Sequence, residues 1–285
     1  MVVLNNICKS FNNKLCLNNI NIELTDGQIV GLLGLNGSGK TTLLRIMSGV
    51  YYPNSGTIEY EEFDLNNNKD LFFVSGDLKF QESTPNKIAL NYKMFYNKFN
   101  IEEFENYLNI FKLEKNDKII NYSKGMKRKL ALCLALASNS KYLLIDEAFD
   151  GVDNLSKKEF KELFLNYIEK NNAIIIVSSH SIENLENVID RLLVLANNEL
   201  VLNSSFNDVF DNYVKYQLAF DQDIEESLFN DLNPLSIRVN GRFVDLIFKI
   251  NDEITSKINE LNPILINNCD LSFDELFNIL LRGEE

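Results

Sequence analysis

An apolar run that breaks into a glycine loop and restarts as an amphipathic stretch constrains this chain more than any other segment. IVGLLG (29–34) leads into GLNGSGKT, Gly34 to Thr41, and TTLLRIMSGV follows at once. A buried strand, a glycine loop and a helix in that order turn successive backbone N–H groups inward, where a phosphate can accept from all of them. The helix N-terminus adds favourable partial charge. Asn36, Gly37, Ser38 and Gly39 form the loop in this reading. Lys40 reaches β- and γ-phosphates, Thr41 ligates Mg²⁺ and Thr42 bonds a further phosphate.

A second segment, YLLIDEAFDGVD (142–153), drives an apolar strand into two adjacent carboxylates, Asp146 and Glu147. Ionised carboxylates are rarely left inside a fold without a partner. The phosphate loop supplies one: Asp146 is expected near the Mg²⁺, and Glu147 is expected to polarise a water facing the γ-phosphate. Each motif makes the other more specific.

Around these motifs, residues 1–203 alternate β-branched runs with amphipathic stretches, which predicts an α/β fold with a mostly parallel sheet covered by helices. KYLLIDE and AIIIVSS (173–179) read as strands buried on both faces, with SKKEFKELFLNYIEK as the helix between them. Residues of about 80–138 read as a helical insertion, and GTIEYEEFDL as a short antiparallel edge. Residues 204–285 change character. GRFVDLIFKI alternates like a half-exposed strand, and Ser272 and Glu275 stand at capping-box spacing before an apolar helix face. This predicts a small α+β appendage after an ATPase-like body.

Charge divides the same way. Residues 1–203 carry a net −3 and residues 204–285 a net −10, out of −13 for the chain. A near-neutral body with an acidic tail argues against a nucleic-acid surface, which needs a basic face. No apolar run is long enough for a transmembrane helix. The start, MVVLNNICKSF, lacks the charged and apolar regions of a secretory signal, so none is expected. Cys8, Cys16, Cys133 and Cys269 show no paired spacing and read as reduced thiols.

YSKGMKRKLALCLALA (122–137), placed shortly before the LLIDE strand, narrows the choice among nucleotide hydrolases. Read alone, Ser-Lys-Gly is a helix cap in a basic turn. In this position the chain resembles the ATP-binding subunits of ABC transporters, whose signature precedes the acidic strand. The resemblance covers about residues 2–203. It implies a P-loop NTPase of ABC type, with ATP and Mg²⁺ as cofactors and ATP hydrolysis as its activity. Tyr122, Ser123, Lys124, Gly125 and Met126 take the signature positions, which in the family contact ATP held by the other subunit of a head-to-tail dimer. Asp153 takes the D-loop position and His180, the only histidine, the switch position beside the γ-phosphate. Phe11 stands where the family stacks an aromatic on adenine. Three departures stand out. Gly76 replaces the Q-loop glutamine, with Asp77 and Gln81 as nearby substitutes; Ala148 replaces the proline after the catalytic glutamate; Lys124 replaces a signature glycine.

The partners implied are an integral membrane permease on a separate chain and a second ATPase, in a homodimer or heterodimer, without nucleic acid. The location implied is the cytoplasmic, inner face of the membrane. The single ATPase module, the long appendage and the stretch DLKFQESTPNKIALNYKMFYNKF look most like bacterial exporters of peptides, toxins or drugs. The alternatives are a soluble ABC-type ATPase acting on ribosomes or DNA, and a nucleotide-binding regulator that does not hydrolyse. The first normally carries tandem modules or long coiled coils, which the sequence lacks; Glu147 and His180 together argue against the second.

Overall fold

The computed structural model describes residues 1–61, 70–78, 80, 83–147, 149, 151–181, 185, 188–250 and 253–282. The chain divides into two compact units, Met1–Asn203 and Ser204–Glu285.

The first unit opens with a long hairpin, β1 (Val2–Phe11) and β2 (Lys14–Leu24), turned by Asn12 and Asn13, both at positive φ. Two successive left-handed residues match the twist of the strands they join. β3 (Gln28–Leu33) runs into the glycine loop, and α1 (Lys40–Met47) follows. β4 (Ser55–Tyr60) pairs with β1, giving an antiparallel sheet of order β2-β1-β4. The edge expected from GTIEYEEFDL is this strand; residues 62–69 lie outside the described residues. The β1–β2 hairpin itself escaped the sequence pattern. Register shifts between Leu4 and Ile7, and again between Ile7 and Lys9, break the two-residue alternation that marks a half-buried strand.

β5 (Leu71–Val74) precedes three helices, α2 (Pro85–Phe95), α3 (Ile101–Ile110) and α4 (Lys124–Ala137). Each starts where a short polar side chain caps it: Thr84, Asn100 and Ser123 accept from backbone N–H groups of the first turn. Then come β6 (Tyr142–Ile145), α5 (Asn154–Asn171), β7 (Ile174–Ser179), β8 (Arg191–Ala196) and β9 (Glu199–Ser205). Together with β3 and β5 these strands form a sheet of order β5-β6-β7-β3-β8-β9. The pairs β5–β6, β6–β7, β7–β3 and β3–β8 are parallel. Every residue of β3, β6 and β7 is buried, as a sheet covered on both faces requires. One core joins α1 (Leu43, Leu44, Met47) to Ile20 and Leu24 of one sheet and to Leu32, Leu144 and Ile176 of the other.

The second unit is an antiparallel sheet of order β11-β12-β10-β13, made of β10 (Tyr213–Ala219), β11 (Ser236–Asn240), β12 (Phe243–Lys249) and β13 (Leu265–Cys269), with α6 (Ile254–Glu260) and α7 (Phe273–Arg282). β12, expected as half-exposed, lies between β11 and β10 and alternates as expected: Val244, Leu246 and Phe248 face the core with Leu218, Phe229 and Ile258, while on the other face Phe243 and Lys249 are exposed, Asp245 is half-buried and Ile247 is buried. The capping box forms. Glu275 accepts from the Ser272 N–H at 3.1 Å, and its own N–H donates to the Ser272 hydroxyl at 3.3 Å. Glu275 also pairs with Lys215 at 2.7 Å. All four cysteines are free. Among the described residues no helix is long and apolar enough to cross a membrane.

Burial pushes the Glu275 carboxyl up, but the Lys215 ammonium and the two Ser272 donors outweigh it and hold it at about 2. A depressed carboxylate stabilises the fold above its unfolded value and ceases to do so as pH falls through its folded value. Glu275→Gln, which keeps the cap but loses the ion pair, should therefore lower the melting temperature of the C-terminal unit at pH 6. That difference from wild type should shrink between about pH 4.5 and pH 2, measured by circular dichroism of the intact chain.

Candidate nucleotide site

The parallel strands deliver their chemistry to one edge of the sheet. β3 ends at the glycine loop, β5 at Ser75 and Gly76, β6 at Asp146 and Glu147, and β7 at His180. Open α/β sheets bind ligands at this carboxyl edge.

The loop bends because Gly39 takes φ 106°, and a Cβ there would come within 2.7 Å of the Leu17 side chain and 2.9 Å of the Cys16 carbonyl. Lys40, only 7% exposed, folds back so that Nζ donates to the carbonyls of Gly34 (2.7 Å) and Leu35 (2.9 Å). Burial pushes its ammonium below the usual lysine range, against the pull of Asp146 and Glu147. The buried Ser38 hydroxyl has no hydrogen-bond partner among the described residues. Asn36 and Gly37 are exposed at the loop tip, and Thr42 on α1 accepts from the Cys16 thiol at 3.3 Å.

Asp146 is 2% exposed and accepts from two hydroxyls, Thr41 Oγ1 at 2.8 Å and Ser178 Oγ at 2.6 Å. Register explains the second bond. Ile145 pairs with Val177, so the next residues, Asp146 and Ser178, stand level on neighbouring strands. Ser178 Oγ in turn accepts from the Glu147 N–H at 2.9 Å. Sequence reasoning missed Ser178, although hydroxyls ending the apolar run AIIIVSS are its visible signal. Glu147 itself sits at φ 51°. Among the described residues twelve non-glycines have positive φ; ten are asparagines, which tolerate it, and the other two are Lys112 and Glu147.

Gly76 lies against both carboxylates. A Cβ there would meet Asp146 Oδ2 at 3.0 Å and Glu147 Oε2 at 3.4 Å. A glutamine in its place would crowd Asp146. Of the expected substitutes, Asp77 follows in an exposed turn, whereas Gln81 lies outside the described residues, as does Ala148.

The signature residues form a second group. Ser123 caps α4, accepting from the Met126 N–H at 3.2 Å, and Lys124 is exposed in its first turn. Gly125 packs on the segment after β6 so tightly that a Cβ would fall 2.4 Å from the Gly151 carbonyl. Asp153 caps α5 through the Ser156 N–H (2.9 Å) and pairs with Lys129 (2.7 Å). The Lys129 and Ser156 donors hold its carboxyl far below the usual range. Phe11, 41% exposed, stands at the end of β1 edge-on to Tyr51 with ring centres 5.5 Å apart, and Lys9 Nζ lies 5.1 Å from its ring centre.

Residues 17–150 match the family model described as ABC transporter. The chain is 26% identical over 289 residues to the ABC transporter ATP-binding protein YtrB of Bacillus subtilis, covering 100% of this chain and 99% of that one. It is 30% identical over 224 residues to the uncharacterized ABC transporter ATP-binding protein MJ1023 of Methanocaldococcus jannaschii, covering 74% and 80%. The chain belongs to the ABC transporter ATP-binding family. A methionine import ATP-binding protein, MetN 2 of Listeria monocytogenes, is 26% identical over 94% of this chain and 86% of its own. The fold matches the ATP-binding subunit of an ABC transporter with a TM-score of 0.68 at 22% identity, over 74% of this chain and 92% of that one. It also matches a dimeric post-hydrolysis state of the cassette MJ0796 bound to ADP and Pi, with a TM-score of 0.63 at 23% identity, over 72% and 98%.

As a member of this family the chain is an ATPase that uses Mg²⁺. The residues present fit both groups. Phosphate oxygens suit the desolvated Lys40 ammonium and the Ser38 hydroxyl, which has no partner among the described residues. A hydroxyl and a carboxylate 2.8 Å apart, on Thr41 and Asp146, are the hard oxygen donors Mg²⁺ takes.

The contact of Gly125 with Gly151 leaves no room for a methyl group. Gly125→Ala should destabilise the first unit by ~1–3 kcal/mol, the usual penalty for overpacking, and lower its melting temperature by several degrees.

Proposed function

We propose that this chain is the ATP-hydrolysing subunit of a membrane transporter, acting as a dimer with a second copy or a related ATPase. The observation that carries this reading is the hydrogen-bonded set Thr41–Asp146–Ser178–Glu147 beside the buried Lys40, at the end of adjoining parallel strands. In it Lys40 and the loop residues Asn36 to Gly39 hold the triphosphate, Thr42 adds a phosphate contact, and Phe11 offers its exposed ring to adenine. Bound there, ATP and Mg²⁺ supply the phosphoryl group and the charge that neutralises its oxygens. Thr41 and Asp146 hold the metal. Glu147 orients and accepts a proton from the attacking water, and His180 contacts the γ-phosphate from the end of β7.

Ser123, Lys124, Gly125 and Met126 are assigned to the triphosphate of the opposite subunit, through the exposed N-terminus of α4. Asp153 joins the two sites through the segment that packs on Gly125. The dimer is supported by the solved cassette MJ0796, which is dimeric with ADP and Pi. The work of closure is delivered to a permease on a separate chain, which places this subunit on the inner face of the membrane.

Export of peptides, toxins or drugs is the direction we assign, on the stretch DLKFQESTPNKIALNYKMFYNKF (77–99). The appendage does not separate export from import, because the methionine import relative aligns over 94% of this chain.

Glu147→Gln should lower steady-state phosphate release by ~10²–10⁴-fold, the range for loss of a general base, and accumulate an ATP-bound dimer on size-exclusion chromatography with Mg-ATP. A monomer under those conditions would contradict the dimer. Purification from membranes should recover an integral membrane chain with this one; recovery without such a chain would contradict the transport assignment.

A further inference from the structure

We propose that Arg128 is a positioning residue for hydrolysis. It holds the peptide that carries Glu147, and it makes the signature helix and that carboxylate move together. This rests on the role given to Glu147 above.

Arg128 lies in the second turn of α4 and is 1% exposed, among the largest fully buried side chains of the described residues. Its guanidinium reaches three backbone carbonyls just past the ends of β5 and β6: Nη1 donates to Ser75 O (3.1 Å) and Asp146 O (3.1 Å), and Nη2 to Gly76 O (2.9 Å). A planar fork can bridge separate acceptors in this way, while a lysine ammonium acts as a point charge on a flexible stem.

The bond to Asp146 O matters most. That carbonyl and the Glu147 N–H belong to one peptide plane. Arg128 takes its oxygen and Ser178 Oγ takes its N–H, at 2.9 Å. A plane fixed at both ends leaves Glu147 to turn about its own N–Cα bond, and it does so into the left-handed region, at φ 51°. Such backbone persists where its surroundings over-determine it. The same guanidinium fixes Gly76, whose Cα faces both carboxylates.

Two further contacts tie the start of α4 to the same segment: Lys129 Nζ meets Asp153 Oδ2 at 2.7 Å, and Gly125 rests on the Gly151 carbonyl. Ser123, at the exposed end of this helix, faces the partner's triphosphate in the proposed dimer. A shift of α4 is therefore transmitted through Arg128 to the Glu147 peptide of its own subunit.

The test uses the intact chain as wild type, Arg128→Met and Arg128→Lys, each also combined with Glu147→Gln. Phosphate release at saturating Mg-ATP and affinity for a fluorescent ATP are measured for each. Arg128→Met should lower kcat by about 100-fold, the effect of a misplacement of about 1 Å, with affinity within about 3-fold of wild type. Arg128→Lys should recover part of the loss, to about 10-fold below wild type. In the Glu147→Gln background the same substitutions should change the residual single-turnover rate by less than about 3-fold, because residues acting as a unit are not additive. An unchanged kcat, a parallel loss of kcat and affinity, or equal effects in both backgrounds would overturn the proposal. Should Arg128→Met lose its melting transition, Arg128→Lys, which keeps the buried cation, is judged by the same criteria. A wild-type rate untouched by Glu147→Gln would instead contradict the role of Glu147.

Discussion

A carboxylate sealed at the end of a buried strand sets the terms for everything near it. Asp146 is 2% exposed, and an isolated charge in that place would cost several kcal/mol or be neutralised by a proton. The fold meets the cost from two neighbouring elements. Ser178 reaches it from β7, Thr41 from the start of α1, and Lys40 supplies opposite charge from the same turn. These partners converge only because β6, β7 and β3 are parallel neighbours in register, so their ends lie side by side. A one-residue slip of β6 against β7 would put Ile145 where the carboxylate now meets Ser178.

Consistency elsewhere makes the exceptions informative. Where a residue other than glycine turns left-handed among the described residues, it is almost always an asparagine, at Asn12, Asn13, Asn139, Asn172, Asn197 and Asn198 among others. Glu147 breaks that habit. A long acidic side chain is held in the same region by neighbours that grip its peptide from both sides. Local departures from an otherwise regular fold concentrate where the chemistry is. Gly76 belongs to the same pattern, since the carboxylates leave little space for any side chain there.

Much of this was legible in the sequence, and the reasons differ by element. The strands β3, β6 and β7 announce themselves as unbroken apolar runs, and the glycine loop as a fixed spacing before a helix. The capping box at Ser272 and Glu275 is local chemistry that needs nothing distant to form. The hairpin of β1 and β2 was hidden because its bulges shift the alternation out of phase. Ser178 and Arg128 were missed for another reason: their partners lie just past the ends of strands distant in sequence, and only the fold brings them together. Arg128 did carry a faint signal. At helical spacing it shares a face with Ala131, Leu132 and Ala135, all buried, so the basic run KGMKRK could not be wholly a surface turn.

The central proposition is that one triphosphate is shared by two chains, gripped by Lys40 of one and met by Ser123 of the other. The direct measurement is a high-resolution structure of the intact chain with Mg-ATP bound. The account requires the γ-phosphate to lie within hydrogen-bonding distance of Ser123 from a second subunit, while Thr41 and Asp146 of the first hold the metal. A triphosphate enclosed by one chain alone, with the partner's α4 terminus turned elsewhere, would contradict it.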